Sequence, residues 1–270
     1  VATINLTLDD PRLDRLFRGR AQIGLSANRD ETGLTLRRLK AVAGPFTATA
    51  EGRVATLDTD LSLNMKLRDL SRIDPAWSGE VRATAGWMGD AGSSTLTLQA
   101  TADAIKLGDP TLDALLAGSS TLSVRVFDDG GPIWLDHLRL DAPQLGIDLA
   151  GTTGTGPRSI SGDVVLANLG LFVPQLSGPV RLTGTGREAE TGYALNLSGT
   201  GPGGIQAGLN GTVSDGLDSV DLTLKGSAQA ALANSFLDPQ SVSGPVSFDL
   251  AVKGKPGLEA VSGTATLSGG

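Results

Sequence analysis

The stretch Val246-Ser247-Phe248-Asp249-Leu250-Ala251-Val252-Lys253 sets four large apolar residues, one at every second position, between Ser, Asp, Ala and Lys. A period of two puts successive side chains on opposite faces of an extended chain, so this segment predicts a β-strand with one apolar and one polar face. The pattern recurs upstream. Leu61, Leu63, Met65 and Leu67 follow it, as do Leu96 and Leu98, then Leu122, Val124 and Val126. Leu195 and Leu197 do the same, and so do Val220, Leu222 and Leu224. Turn clusters separate these runs, among them Asp30-Glu31-Thr32-Gly33, Gly89-Asp90-Ala91-Gly92, Asp128-Asp129-Gly130-Gly131 and Gly201-Pro202-Gly203-Gly204. Asp or Pro starts such a turn and Gly accepts its positive φ. About fifteen or more half-buried antiparallel strands are expected.

The strands belong to a repeat. Asp10-Pro11, Leu13-Asp14, Leu16 and Gly19 return 99 residues later as Asp109-Pro110, Leu112-Asp113, Leu115 and Gly118. The register then holds, with Gly52 recurring as Gly151, Pro75 as Pro174 and Ser78-Gly79 as Ser177-Gly178. A third copy is incomplete. Gly211-Thr212-Val213 echoes Gly52-Arg53-Val54, and Ser243-Gly244-Pro245-Val246 echoes Ser177-Gly178-Pro179-Val180, but its Asp-Pro segment is missing. A fixed period predicts modules stacked along an axis, each in contact with its neighbours only. The expected organisation is one elongated segment over 1–270, with units near 10–108 and 109–200 and a partial unit at 201–270. Each Asp-Pro pair reads as an N-cap followed by proline at the first helical position, giving a helix of about two turns. Residues 228–234 are a third helix candidate.

Composition narrows the function. Hydrophobic residues make up 40% of the chain and aromatics only 4%, so any interior is mainly aliphatic. The net charge is −7, with acidic and basic residues scattered in ones and twos, which argues against nucleic acid as a partner. The chain has no cysteine, which removes disulfides and thiolate metal sites. No run reaches the ~18 apolar residues of a membrane span and no signal-peptide pattern opens the chain, so we expect a segment of a longer protein.

Chemistry-bearing candidates are few. His137 is the single histidine, and no nucleophile or orienting carboxylate is identifiable beside it. Gly199, Gly201 and Gly204 match a dinucleotide-turn spacing but precede strand-like sequence, where that motif needs a helix. Asp9-Asp10 and Asp128-Asp129 read as solvated turn residues, outside any calcium-loop spacing. No catalytic, metal or cofactor residue is expected, and the protein reads as non-enzymatic.

What remains is the apolar face. We expect an all-β, elongated antiparallel sheet curled into a trough, with a few short helices. Its lining would be Leu61, Leu63, Met65, Leu67, Leu96, Leu98, Leu122, Val124 and Val126 in the first part of the chain. Leu195, Leu197, Val220, Leu222, Leu224, Val246, Phe248, Leu250 and Val252 would continue it. Sixteen strands at ~4.8 Å would span roughly 75 Å. At about 0.8 kcal/mol per methylene, keeping a sixteen-carbon chain in water costs on the order of 10 kcal/mol, which such a lining would relieve.

The Leu-x-Leu strands resemble those of a known family, the TamB repeat region. So do the Pro-x-x-Ser-Gly-x-Val step at Pro75 and Pro174, its variant at Pro239, and the closing Val261-Ser262-Gly263-Thr264-Ala265-Thr266-Leu267-Ser268-Gly269-Gly270. TamB-like proteins group with AsmA-like envelope proteins and are similar in architecture to bridge-like lipid transfer proteins. The resemblance implies a periplasmic location in a Gram-negative bacterium, within a protein anchored in the inner membrane. It implies partnership with an Omp85-type outer-membrane barrel, TamA, in translocation and assembly of outer-membrane proteins. It also implies movement of phospholipid acyl chains between the two membranes. The rival expectation is a closed β-helix stalk of a secreted adhesin or autotransporter.

Overall fold

The computed structural model describes residues 2–4, 11–55, 57–154, 156–216, 218–236 and 241–268. They form two compact units, Val1–Gln144 and Leu145–Gly270. The first holds β1 (Ala2–Ile4), β2 (Arg20–Asp30), β3 (Gly33–Ala43), β4 (Phe46–Ala55), β5 (Thr59–Leu67), β6 (Ser78–Gly89), β7 (Ser94–Lys106), β8 (Ser119–Asp128) and β9 (Pro132–Asp141). Each pairs antiparallel with the next. The second holds β10 (Leu145–Gly154), β11 (Ser159–Leu166), β12 (Val180–Ala189), β13 (Gly192–Gly201), β14 (Ile205–Val213), β15 (Val220–Gln229), β16 (Pro245–Gly254) and β17 (Val261–Leu267). It is likewise a meander of antiparallel neighbours.

Each unit is therefore all-β and antiparallel, as expected, but the expected curl is absent: the sheet of each unit is open and uncurled. The reason is local. Substantial strand–strand contact within each unit runs only between neighbours in the chain, so nothing draws the flanks of a sheet together. Hairpin-joined antiparallel strands also differ from the coils of a β-helix. No helix among the described residues is long and apolar enough to cross a membrane.

The repeat is visible as structure. The helices α1 (Pro11–Leu16) and α2 (Pro110–Leu115) stand 99 residues apart. Likewise β2 to β5 reappear as β8 to β11, and the 3₁₀ turn Leu70–Arg72 as Leu169–Leu171, before β12 and β13. In the last copy, β14 and β15 answer to β4 and β5, and β16 and β17 to β6 and β7. One helix and one hairpin are missing. The Asp109 carboxylate caps α2, accepting from Thr111 N at 2.9 Å and Leu112 N at 3.0 Å. Its counterpart Asp10, with Asp9 and Pro239, lies outside the described residues. At the third helix candidate, β15 continues to Gln229 and a 3₁₀ segment, Ala230–Phe236, follows.

A single-layer sheet has no second layer on which to bury its apolar face, and glycines supply a substitute. A Cβ built on Gly226 would lie 2.6 Å from Phe248 Cζ on the neighbouring strand. On Gly199 it would meet Leu182 Cδ2 at 2.7 Å, and on Gly184, Leu197 Cδ2 at 2.7 Å. Large side chains thus lie sideways over glycines of the adjacent strand. Gly52 (φ 138°) and Gly211 (φ 145°) occupy echoing positions where a Cβ would strike the carbonyl of Asp60 or Asp221.

Two positions reveal strain by comparison with their repeat mates. Ala104 has φ 52°, where its repeat mate Gly203 has φ 63°. Ser120 Oγ is buried without a hydrogen-bond partner among the described residues, where the earlier copy has the fully buried Ala21. Ala104→Gly is expected to stabilise the protein by roughly 0.5–1 kcal/mol, the left-handed penalty less the glycine entropy. Ser120→Ala should add about 1 kcal/mol by removing an unsatisfied hydroxyl. Gly226→Ala should cost about 1–3 kcal/mol through overpacking. Denaturant midpoints measure all three.

Candidate functional site: the apolar face

Directly opposed residues on antiparallel strands share a face, so the strand registers show which side chains meet. In the first unit Leu61, Trp87, Leu96 and Val126 form one row across β5 to β8. Leu63, Ala85, Leu98 and Val124 form a second, Met65, Ala83, Ala100 and Leu122 a third, and Leu67, Val81, Ala102 and Ser120 a fourth. In the second unit Leu197, Leu209, Leu224, Leu250 and Gly263 align from β13 to β17. Leu195, Gly211, Leu222, Val252 and Val261 run beside them. Phe248 pairs with Gly226 and Ala265, Val246 with Ala228 and Leu267, and Val220 with Val213 and Gly254. All eighteen residues singled out from the sequence therefore fall on the apolar face of their own unit.

That face is mostly half-buried, with some side chains well exposed. Leu63 is 39% exposed, Leu96 49%, Trp87 43% and Leu182 44%. One end is closed in the first unit, where Leu16 and Phe17 pack with Ala21, Ala43, Phe46, Leu67 and Leu70. Phe17 and Phe46 meet edge to face at 5.6 Å. The short helix thus covers the end of the stripe and leaves its middle bare.

Sequence reasoning missed several members. Trp87 and Leu182 belong to the rows, as do Ala83, Ala85 and Ala100. The signal was present in Val81-x-Ala83-x-Ala85-x-Trp87, but alanine is a weak marker of face.

The polar face carries salt-bridged ladders. Lys225 pairs with Asp249 at 2.8 Å and Lys253 with Asp221 at 3.3 Å. Lys66 and Arg82 both approach Glu80, and Arg82 also lies 3.9 Å from Asp103. Exposed pairs of this kind contribute little to stability, so they serve mainly to keep this face wet. Met88, Phe127 and Trp134 interrupt it with exposed apolar surface near the turns.

His137 stands on β9 in a constellation the sequence did not reveal. Its Nε2 lies 3.0 Å from Ser123 Oγ, and its Nδ1 lies 3.4 Å from Asp136 Oδ2. A bulge makes this possible, since the register jumps from Arg125–His137 to Val126–Leu135 and leaves Asp136 as the extra residue. The Asp136 side chain is 56% exposed and that of His137 39%, so the group stands in open water without the desolvated setting that gives such a relay its leverage. Asp128 and Asp129 accept turn amides from Gly130 and Gly131. Gly199 and Gly201 lie in β13, and a 3₁₀ turn and β14 follow, where the dinucleotide motif requires a helix.

The clearest electrostatic perturbation joins the residue just before β11 to β12. Arg158 donates through Nη2 to Glu188 Oε1 at 2.8 Å, and its backbone N–H donates to Oε2 at 2.9 Å. These bonds hold the Glu188 carboxyl below its usual range, and the carboxylate raises the Arg158 guanidinium above its own. A depressed carboxyl pKa gives stability that is present above the unfolded value and lost as pH falls through the folded one. A carboxyl NMR titration should place Glu188 below 4.5, and Arg158→Ala should raise it toward the ordinary range without removing the backbone N–H bond to Oε2. Compared with known proteins, the chain matches no family model, no curated protein and no solved structure.

Proposed function

We propose that the apolar face holds acyl chains of phospholipid, as the periplasmic segment of an inner-membrane-anchored, envelope-spanning protein of the TamB type. In this reading the protein passes lipid between inner and outer membranes. It supports outer-membrane protein translocation and assembly through an Omp85-type barrel, TamA, and is a holding surface rather than a catalyst. The supporting observation is the ordered set of apolar rows that remains partly exposed to solvent. In the first unit, four rows spaced by two residues give a stripe about 20 Å wide, and in the second unit the apolar rows cross up to eight strands, roughly 34 Å. An acyl chain, half of a hydrocarbon core about 30 Å thick, reaches about 15 Å, so the stripe accommodates several.

Energetics favour a shallow surface for this task. At about 0.8 kcal/mol per methylene, even partial burial of an acyl chain contributes several kcal/mol. Similar rows repeat along the sheet, so a chain shifted by one strand loses little. Such a surface retains lipid without fixing it at one point.

Native mass spectrometry of the purified protein should detect bound phospholipid. Leu63→Asp and Leu250→Asp should lower its occupancy severalfold, while Asn64→Asp and Ser247→Asp on the polar face leave it unchanged. Absence of lipid from the wild type, or equal loss from both faces, would sink the proposal.

A further inference from the structure

The polar face of β8 and β9 carries a cluster that the module does not need in order to fold. Phe127 opposes Trp134 across these strands, and Arg125 opposes His137. In the earlier copy β2 and β3 make the same ladder: Asn28 opposes Thr35 as Phe127 opposes Trp134, and Ser26 opposes Arg38 as Arg125 opposes His137. The bulge is shared as well, with Arg37 the extra residue where the later copy has Asp136. The pairing is therefore the same, while Ser123, Arg125, Phe127, Trp134, Asp136 and His137 stand where the earlier copy has Gly24, Ser26, Asn28, Thr35, Arg37 and Arg38. Met88, set beside Phe127 across Thr95, also has a polar mate, Arg187.

Packing does not account for this exchange. Met88, Phe127 and Trp134 are exposed, and the rings of Phe127 and Trp134 make no ring-to-ring contact with each other. Large apolar side chains left in water bury little area and so contribute little to folding. Gathered together on a charged face, they mark a place where something binds.

The groups beside the rings narrow the chemistry of that ligand. His137 Nε2 lies 3.0 Å from Ser123 Oγ, and Asp136 Oδ2 lies 3.4 Å from His137 Nδ1 and 3.9 Å from Arg125 Nη1. Asp136 faces Arg125, so the two charges offset one another, whereas the earlier copy sets Arg37 and Arg38 side by side. The exchange thus removes positive charge and adds aromatic surface and hydrogen-bonding groups of both kinds. An anion gains nothing from that change. A pyranose ring does, because it offers C–H groups on its faces to an aromatic ring and hydroxyls round its edge to carboxylate, guanidinium and imidazole.

We propose that this strip of β8 and β9 binds an uncharged oligosaccharide, with sugar rings laid against Trp134 and Phe127 and hydroxyls bonded to Arg125, Asp136 and His137. Rows two residues apart on a strand are separated by about 7 Å, so the three rows from Trp134 to Ser123 span about 14 Å, enough for a short run of linked rings. The aromatic side chains supply rigid contact area at low entropic cost. The polar groups already hold one another in place before the ligand arrives, which lowers the cost of ordering them. The strip lies on the face opposite the acyl-binding rows, so it stands independently of lipid binding.

The test titrates the full 270-residue chain with cellotetraose, maltotetraose and chitotetraose, read by calorimetry and tryptophan fluorescence. At least one of them should bind saturably. Trp134→Thr and Phe127→Asn install the residues of the earlier copy, so the circular dichroism spectrum should hold while affinity falls tenfold or more. Arg125→Ser should weaken binding severalfold. Trp87→Ala, on the apolar face, should leave it unchanged, and Trp134→Thr should leave phospholipid occupancy unchanged. Failure of all three sugars to bind overturns the proposal, as does binding indifferent to both Trp134→Thr and Phe127→Asn or equally sensitive to Trp87→Ala. Sedimentation with phosphatidylcholine vesicles that is lost in Trp134→Thr would assign the strip to a membrane surface and overturn it too.

Discussion

Phe248 lying over Gly226 represents the constraint that governs both units. A sheet with no second layer buries apolar surface only against its own neighbours, so each large side chain needs a small one beside it. Leu182 over Gly199 and Leu197 over Gly184 solve the same problem, and alanines at 83, 85 and 100 do so less fully. Glycine is therefore a packing residue here as well as a turn residue. The arrangement stabilises the sheet while leaving the outer surface of each apolar row in water.

Neighbour-only contact also explains how the module varies. The last copy lacks the helix and the hairpin equivalent to β2 and β3, yet β14 takes its place directly beside β13. No distant contact depended on what was lost. Where a helix is present, as in α1, it closes one end of the stripe through Leu16 and Phe17 and leaves the rest uncovered. The opposite face is kept polar by cross-strand pairs such as Lys225–Asp249, whose ends stay hydrated. Register thus separates a largely polar face from an apolar one within each unit.

Much of this was legible in residue order. The alternation of Val246, Phe248, Leu250 and Val252 anticipated β16, and the 99-residue spacing anticipated the match of α1 with α2. Alanine rows escaped notice because alanine occurs on either face. Asp136 escaped for a different reason. Strict alternation cannot show a bulge, and a bulge is what brings its carboxylate toward His137 on the polar side. The expected curl failed because alternation defines which face is apolar but carries no information about bending.

The sequence by itself determined the strands, their two faces, the turns and the order of the modules, because each depends on residues close together in the chain. Tertiary structure alone decided that each sheet stays open and that glycines receive the side chains of adjacent strands. These depend on register. Register is set by many cross-strand contacts acting together, and it assigns each residue a neighbour that its position in the chain does not name.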